Sequence, residues 1–397
     1  MKWFLVALLL LQGCREASLE PLTVEAYVWQ AAGKPAVRTA MDEAVGLVSK
    51  LHVRVAEMRW DGEGFSTQWF IDEIPRRGCG LVVRIGSSAS GIDWTPTRTE
   101  EVAEVFRKVA RLSPSEIQCD FDCPQKRLKG YKSLLDGLQD ACGNIPVLPT
   151  ALPSWLDEND FSELVRGRAG WVLQVHSLHL PSGPDEAPVL FDRSKARIAA
   201  EKASKLGVPF RIAMATYGCE VRFDREGRVL DVVSEDLTEM NSKVWKRSFA
   251  LADPVESARL VSEWKQSRPK DLTGLIWYRL PVQGDRRNWP LKTFRSVIHG
   301  EVLSSSAVLE ATAGHGARDL TVVNHDAFPV ALPRKIFIDG EVALADGSRA
   351  YQVERIGEGV RFSLRDDVWP WLDPGKEIAL GWLRLEEGKQ DFDWNFE

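Results

Sequence analysis

The sequence lacks long runs of Lys or Arg, and its longest early apolar run, residues 3–11, is far short of a membrane-spanning helix. Crossing a bilayer takes about 20 apolar residues, so that run is too short to span. Without a basic stripe there is no electrostatic footprint for nucleic acid. Charge is nearly balanced, 51 Lys plus Arg against 57 Asp plus Glu, for a formal net charge of -6. After Cys14, the five cysteines Cys79, Cys119, Cys123, Cys142 and Cys219 show no zinc spacing, because Cys119 and Cys123 have no second close pair. Five cannot all pair even in an oxidising compartment, so they read mostly as small buried hydrophobes, with room for one disulfide. His176 and His179 lack a third ligand at a metal spacing, and a hydrogen-bonding role suits His176 better. No metal and no cofactor is expected. Tyrosine is scarce at 5 residues while tryptophan reaches 15, and flat Trp rings fill cores as readily as they stack on sugar faces. A 44% hydrophobic and 27% charged composition is that of an ordinary globular protein, and 397 residues allow two or three domains.

What is present begins with an address. Lys2 precedes the apolar run, and Gln12, Gly13 and Cys14 follow it. A basic start, a short apolar core and small residues before a cut describe a secretory signal. Leu11, Gly13 and Cys14 resemble a bacterial lipobox, which makes residues 1–14 a signal peptide and Cys14 the lipidated N-terminus. The resemblance implies a lipoprotein held to the membrane by its acyl chains alone. Arg15 supplies no Asp-type inner-membrane retention signal, so the expected location is the cell envelope, at the outer membrane and facing the periplasm.

From residue 22 onward, β-rich apolar runs alternate with amphipathic segments. The runs lie at 24–30, 53–58, 80–85, 116–122, 145–150, 171–176, 209–215 and 272–278. The helical segments lie at 36–51, 67–77, 99–112, 128–142, 161–166, 193–206, 254–266 and 291–297, with Thr97 or Thr99 as the cap of the third. Alternation of this kind predicts parallel βαβ units. Eight units over residues 22–299 match a (β/α)8 TIM barrel in the α/β class. A doubly wound open sheet fits less well, because no Gly-rich phosphate loop follows the first run. Residues 216–253 form an overlong connection, and the runs at 220–224 and 228–233 around Arg225, Glu226 and Gly227 predict a hairpin that walls or covers the mouth. After residue 299 only short alternating runs and turn signals remain, which predicts a β-sandwich-like domain over residues 300–397.

Chemistry in a (β/α)8 barrel sits at the C-terminal strand ends. Those ends carry Trp29, Glu57, Arg59, Trp60, Trp155, Gln174, His176, Tyr217, Trp277 and Tyr278, a mixture of aromatic, amide and charged groups suited to a polyhydroxylated ligand. Asp120 and Asp122 stand two apart on one strand and so share a face. Two like charges that close raise one pKa, giving the protonated and ionised pair that glycosidic-bond cleavage requires. A retaining mechanism also asks for a second carboxyl about 5 Å away, and Glu57, Glu220 and Glu235 are the candidates.

Residues 116–122, Tyr131, Leu134, Leu135, the stretch 149–155, residues 174–176, Tyr217, Gly218 and the tail 320–324 resemble the bacterial domain of unknown function 3142. That resemblance implies a barrel of the glycoside-hydrolase kind and no particular activity. Asp120 and Asp122 also look like part of the Asp-x-Asp-x-Glu motif of family 18 chitinases, but Pro124 stands where that motif has its proton-donating Glu. Three readings are open. The first is an envelope glycoside hydrolase using Asp120 and Asp122. The second is a catalytically silent carbohydrate-binding lipoprotein. The third is a scaffold that docks an envelope partner through its β-domain.

Overall fold

The computed structural model describes residues 21–71, 78–176, 178–234, 243–301, 306–314, 316–389 and 391–396. The expected signal peptide, Cys14 and Glu235 lie outside these.

Eight strands run parallel around a closed ring. They are β1 (Thr23–Val28), β2 (Lys50–Trp60), β4 (Gly80–Ile85), β5 (Ile117–Asp120), β6 (Val147–Ala151), β7 (Trp171–Gln174), β8 (Phe210–Ala215) and β12 (Leu272–Tyr278). Each pairs with its neighbour in chain order, β8 with β12, and β12 back onto β1. Central strands such as β8 are buried at every position, because the hydrophobic interior covers one face and helices cover the other. The helices are α1 (Pro35–Glu43), α2 (Pro96–Ala110), α3 (Leu128–Cys142), α4 (Asn159–Val165), α5 (Arg193–Ser204), α6 (Pro254–Gln266) and α7 (Leu291–His299). In α3, Leu128, Tyr131, Leu134, Leu135, Leu138 and Cys142 are all buried, an i, i+3, i+4, i+7 stripe that faces the barrel.

Three local expectations are corrected. The helix expected at 36–51 stops at Glu43, where Gly46 with φ of 79° turns the chain and β2 already begins at Lys50. No helix forms at 67–71. Instead β3 (Phe65–Trp69) folds back antiparallel on the overlong β2, through a turn in which the Asp61 carboxylate accepts the N–H groups of Glu63 and Gly64; the rest of that expected helix, residues 72–77, lies outside the described residues. The cap of α2 is Thr95, which accepts the Arg98 N–H, and not Thr97 or Thr99. Pro96 explains the earlier start, since its fixed φ suits a first helical position.

The long connection after β8 builds a three-stranded antiparallel sheet from β9 (Gly218–Phe223), β10 (Val229–Val233) and β11 (Lys246–Leu251), with β9 in the middle. The expected hairpin is its β9–β10 half. All six residues of β9 are buried.

Beyond α7 the chain is antiparallel β. One sheet contains β13 (Val308–Gly314), β14 (Ala317–Val323), β21 (Glu377–Leu385) and β17 (Val342–Gly347). Another contains β18 (Tyr351–Ile356), β19 (Gly359–Leu364), β16 (Lys335–Asp339) and β22 (Asp393–Phe396). The short strands β15 (Val330–Ala331) and β20 (Trp371–Leu372) pair beside them. Leu320, Val322, Ile336, Ile338, Tyr351 and Phe362 fill a core of their own. Trp369 meets Phe249 of β11 edge-on at 5.6 Å, which ties this region to the barrel insertion.

Candidate active site at the barrel mouth

A cavity of about 220 Å³ opens at the C-terminal strand ends. Its floor and walls come from Tyr27 of β1 and Trp29 just after it, Val82 and Arg84 of β4, Asp120 at the end of β5 and Asp122 beyond it, and Thr150 of β6 with Leu152 just after it. Gln174, His176, Tyr217 and Tyr278 close it on the opposite side. Seven of the residues singled out in the sequence therefore meet in one place: Trp29, Asp120, Asp122, Gln174, His176, Tyr217 and Tyr278.

The two aspartates have different surroundings. Asp120, the last residue of β5, is buried, and its Oδ1 accepts from Thr150 Oγ1 at 2.8 Å and from Gln174 Nε2 at 3.3 Å. Asp122 lies two residues past the strand and keeps half of its side chain open to the mouth. Desolvation by the cavity walls raises the Asp122 carboxyl above the usual aspartate range, and the charge of Asp120 raises it further. Arg84 opposes both effects, with Nη1 3.4 Å from Asp120 Oδ2 and Nη2 4.0 Å from Asp122 Oδ2.

Across the cavity the groups are neutral. Burial pulls His176 down to about 4, so at neutral pH its imidazole is uncharged, and it stacks on Tyr278 with centroids 4.9 Å apart and an interplanar angle of 7°. Burial pushes the Tyr278 phenol up to about 12 and raises Tyr217 as well. These phenols therefore keep their protons and can donate hydrogen bonds to hydroxyl-rich ligands.

Other expected contacts are not at the cavity. Trp277 is fully buried and packs on Trp289 and Phe294, because a strand alternates sides and its neighbours Ile276 and Tyr278 take the interior face. Trp155 is equally buried, between Tyr131 and Phe161. Neither ring can stack on a ligand there. Trp29 does border the cavity but is only 8% exposed and carries the Arg54 guanidinium 4.9 Å from its ring centroid, so it serves as a wall. Glu57 turns to Arg59 at 2.8 Å and Arg54 at 3.4 Å, on the β2–β3 hairpin, and does not line the cavity. Arg59 is largely exposed, and Trp60 sits on that same hairpin against Phe65, under the Arg98 guanidinium.

The second carboxyl does not come from Glu220 either. That side chain is 2% exposed and is held by Arg287 at 2.6 Å, Arg222 at 2.8 Å and Arg247 at 3.4 Å. Among the described residues, the carboxyls lining the cavity are Asp120 and Asp122. Sequence reading passed over Arg84, although a lone cation within the apolar run 80–85 is a usable signal. A charge in a strand buried on both faces is tolerated where it meets a partner or a ligand. The five cysteines from Cys79 to Cys219 are buried, and Cys119, Cys123, Cys142 and Cys219 carry free thiols.

Comparison with known proteins gives a family and a fold. The model of a domain of unknown function, DUF3142, matches residues 77–283, just over half of the chain, and a second such domain, DUF8456, matches residues 307–386. No curated protein sequence matches. Among solved structures, the C-terminal domain of a putative chitinase from Desulfitobacterium hafniense DCB-2 superposes with a TM-score of 0.50 at 12% identity, covering 72% of this chain and 100% of that one. The Bacillus cereus spore cortex-lytic enzyme SleL gives 0.48 at 12%, covering 71% and 74%. A chitinase from Chromobacterium violaceum ATCC 12472 gives 0.47 at 11%, covering 71% and 99%. At such identities the likeness is one of fold.

Proposed function

The chain belongs to the DUF3142 family, and for this member we propose a glycoside hydrolase that cleaves an envelope or extracellular glycan at the barrel mouth. One observation carries the reading: two aspartates share one cavity, one fixed by neutral donors and the other partly open with a raised pKa. Asp122 is the group suited to give its proton to the glycosidic oxygen as the bond to the anomeric carbon breaks. Water supplies the hydroxyl that carbon receives, and its other proton passes to the Asp122 carboxylate left by the first transfer. Asp120, held in place by Thr150 and Gln174, faces the positive charge that develops on the ring. Tyr217, Tyr278 and His176 orient the hydroxyl groups. The glycoside-hydrolase-like barrel supports this as fold alone.

Catalysis is tested by screening the protein on glycan libraries and then comparing it with Asp122→Asn. That substitution keeps shape and hydrogen bonding but removes the transferable proton. Turnover should fall by a factor on the order of hundreds, with binding and melting temperature nearly constant.

A second reading, sugar binding without hydrolysis, is favoured by one feature. Pro124 occupies the place of the chitinase proton donor, while arginines hold Glu57 and Glu220 away from the cavity. Binding without any turnover, unchanged in Asp122→Asn, would select it. In either case we place the protein in the bacterial envelope, anchored through Cys14.

A further inference from the structure

Among the described residues that line the mouth cavity, Arg84 is the permanent cation, and nothing in the hydrolytic scheme uses it. Its strand, β4, is buried at every other position, so placing a guanidinium there carries a desolvation cost that its partners must offset. They do so poorly. Asp120 Oδ2 is 3.4 Å away, at the limit of a hydrogen bond, and Asp122 Oδ2 is 4.0 Å away, beyond one. The other oxygen of Asp120 already receives Thr150 and Gln174. A guanidinium has five N–H donors, and Arg84 lines the cavity with its side chain 36% exposed and, among the described residues, only these two carboxylate contacts within 4.0 Å. The guanidinium carbons of Arg54 and Arg84 both approach the Trp29 ring, at 4.9 Å and 5.8 Å, but Arg54 lies outside the cavity lining and pairs with Glu57. Within the cavity lining, Arg84 of β4 stands beside the carboxyls of Asp120 and Asp122, with the neutral His176 and Tyr278 rings across from them.

We infer that the saccharide taken at this mouth is acidic, bearing a ring carboxylate or a sulfate ester that Arg84 receives. The inference rests on the saccharide-binding reading of the same cavity. The planar guanidinium fork matches either anion with two parallel N–H bonds, which a neutral hydroxyl cannot reproduce. A sugar ring beside Asp122 places such a substituent within reach of Arg84, because the two side chains are neighbours.

The test uses the full-length protein and calorimetric titration with matched ligands. Galacturonate and alginate oligosaccharides are each compared with their methyl esters, and chondroitin sulfate oligosaccharides with their desulfated forms. The expected result is an acid-over-neutral preference of about tenfold or more, as for charge-assisted hydrogen bonds. The preference should shrink with added salt. In Arg84→Gln the ratio should collapse toward one, and Arg84→Lys should keep part of it, with melting curves showing that both variants are folded. The uronate and sulfate arms show which anion fits. Neutral forms binding as tightly as the acidic ones, or Arg84→Gln weakening both equally, overturns the inference and leaves a neutral-saccharide site standing. Failure of every ligand, acidic and neutral, on folded protein overturns the saccharide reading itself.

Discussion

At the scale of single residues, the neighbours of Asp122 decide what it can do. Asp120 raises its pKa by charge, so Asp120→Asn should lower it. A general acid works only while protonated, and activity falls as pH rises through its pKa. The high-pH limb of kcat/KM should therefore move to lower pH in Asp120→Asn, and a limb that stays put would assign the proton to another group. The tryptophans make the complementary point. Trp277 and Trp155 stand next to mouth residues in the sequence, yet both are fully enclosed. Trp277→Ala should cost about 3–5 kcal/mol in denaturant unfolding, the range for emptying an aromatic site in a core. Saccharide affinity of the folded fraction should be unaffected. A loss of affinity without a loss of stability would mean that the ring contacts ligand.

At the scale of elements, the insertion after β8 is packed onto the barrel, and none of its three strands lines the mouth cavity. Its central strand β9 is buried throughout, and Gly218 at its start donates its N–H to the Arg287 carbonyl. Glu220 gathers three arginines, from β9 itself, from β11 and from the segment after β12. Removing one member of a buried ion network leaves the others poorly compensated. Glu220→Gln is thus expected to lower stability by about 3–5 kcal/mol, read as a shift in denaturant midpoint. A change under about 0.5 kcal/mol, ordinary for a surface site, would mark the network as incidental. Sequence periodicity found β9 and β10 because their alternation is local. It missed β3, whose residues are half-exposed and become a strand by pairing with the unusually long β2.

At the scale of the whole molecule, the barrel interior has two polar layers. The mouth is one. The other lies toward the opposite end, where Arg211 bonds Glu25 at 2.7 Å and also bonds Glu116, while His52 meets Glu25 at 2.6 Å. Burial disfavours the charged form of Glu25. The His52 hydrogen bond and the charges of Arg211 and His52 more than offset this, holding Glu25 at about 2 against an ordinary 4.5. A carboxyl with a depressed folded pKa contributes stability that is present above about 4.5 and lost as pH falls toward about 2. Glu25→Gln should therefore lower stability near neutrality and flatten its decline through that window, as measured by chemical unfolding at a series of pH values. An unchanged acid limb would show that other groups control it. The proposed anchor would act on the whole chain. Cys14→Ser should shift the protein from the membrane fraction to the soluble fraction, and retention on membranes would remove the lipoprotein reading.

The sequence by itself determined the eight-fold alternation, several element boundaries such as those of α3, α6 and β12, and the placing of Asp120 and Asp122 at one strand tip. These follow from period, strand-end position and chain order, all of which are local. The tertiary structure alone decided which strand-end side chains reach the cavity, since a strand points alternate residues to opposite sides and Trp277 and Tyr278 differ by one position. It also decided that Glu57 and Glu220 belong to arginines and that Arg84 enters the mouth. Ion-pair partners are set by closure of the barrel, which brings β4 beside β5 and β12 beside β1, and sequence distance carries no record of that closure.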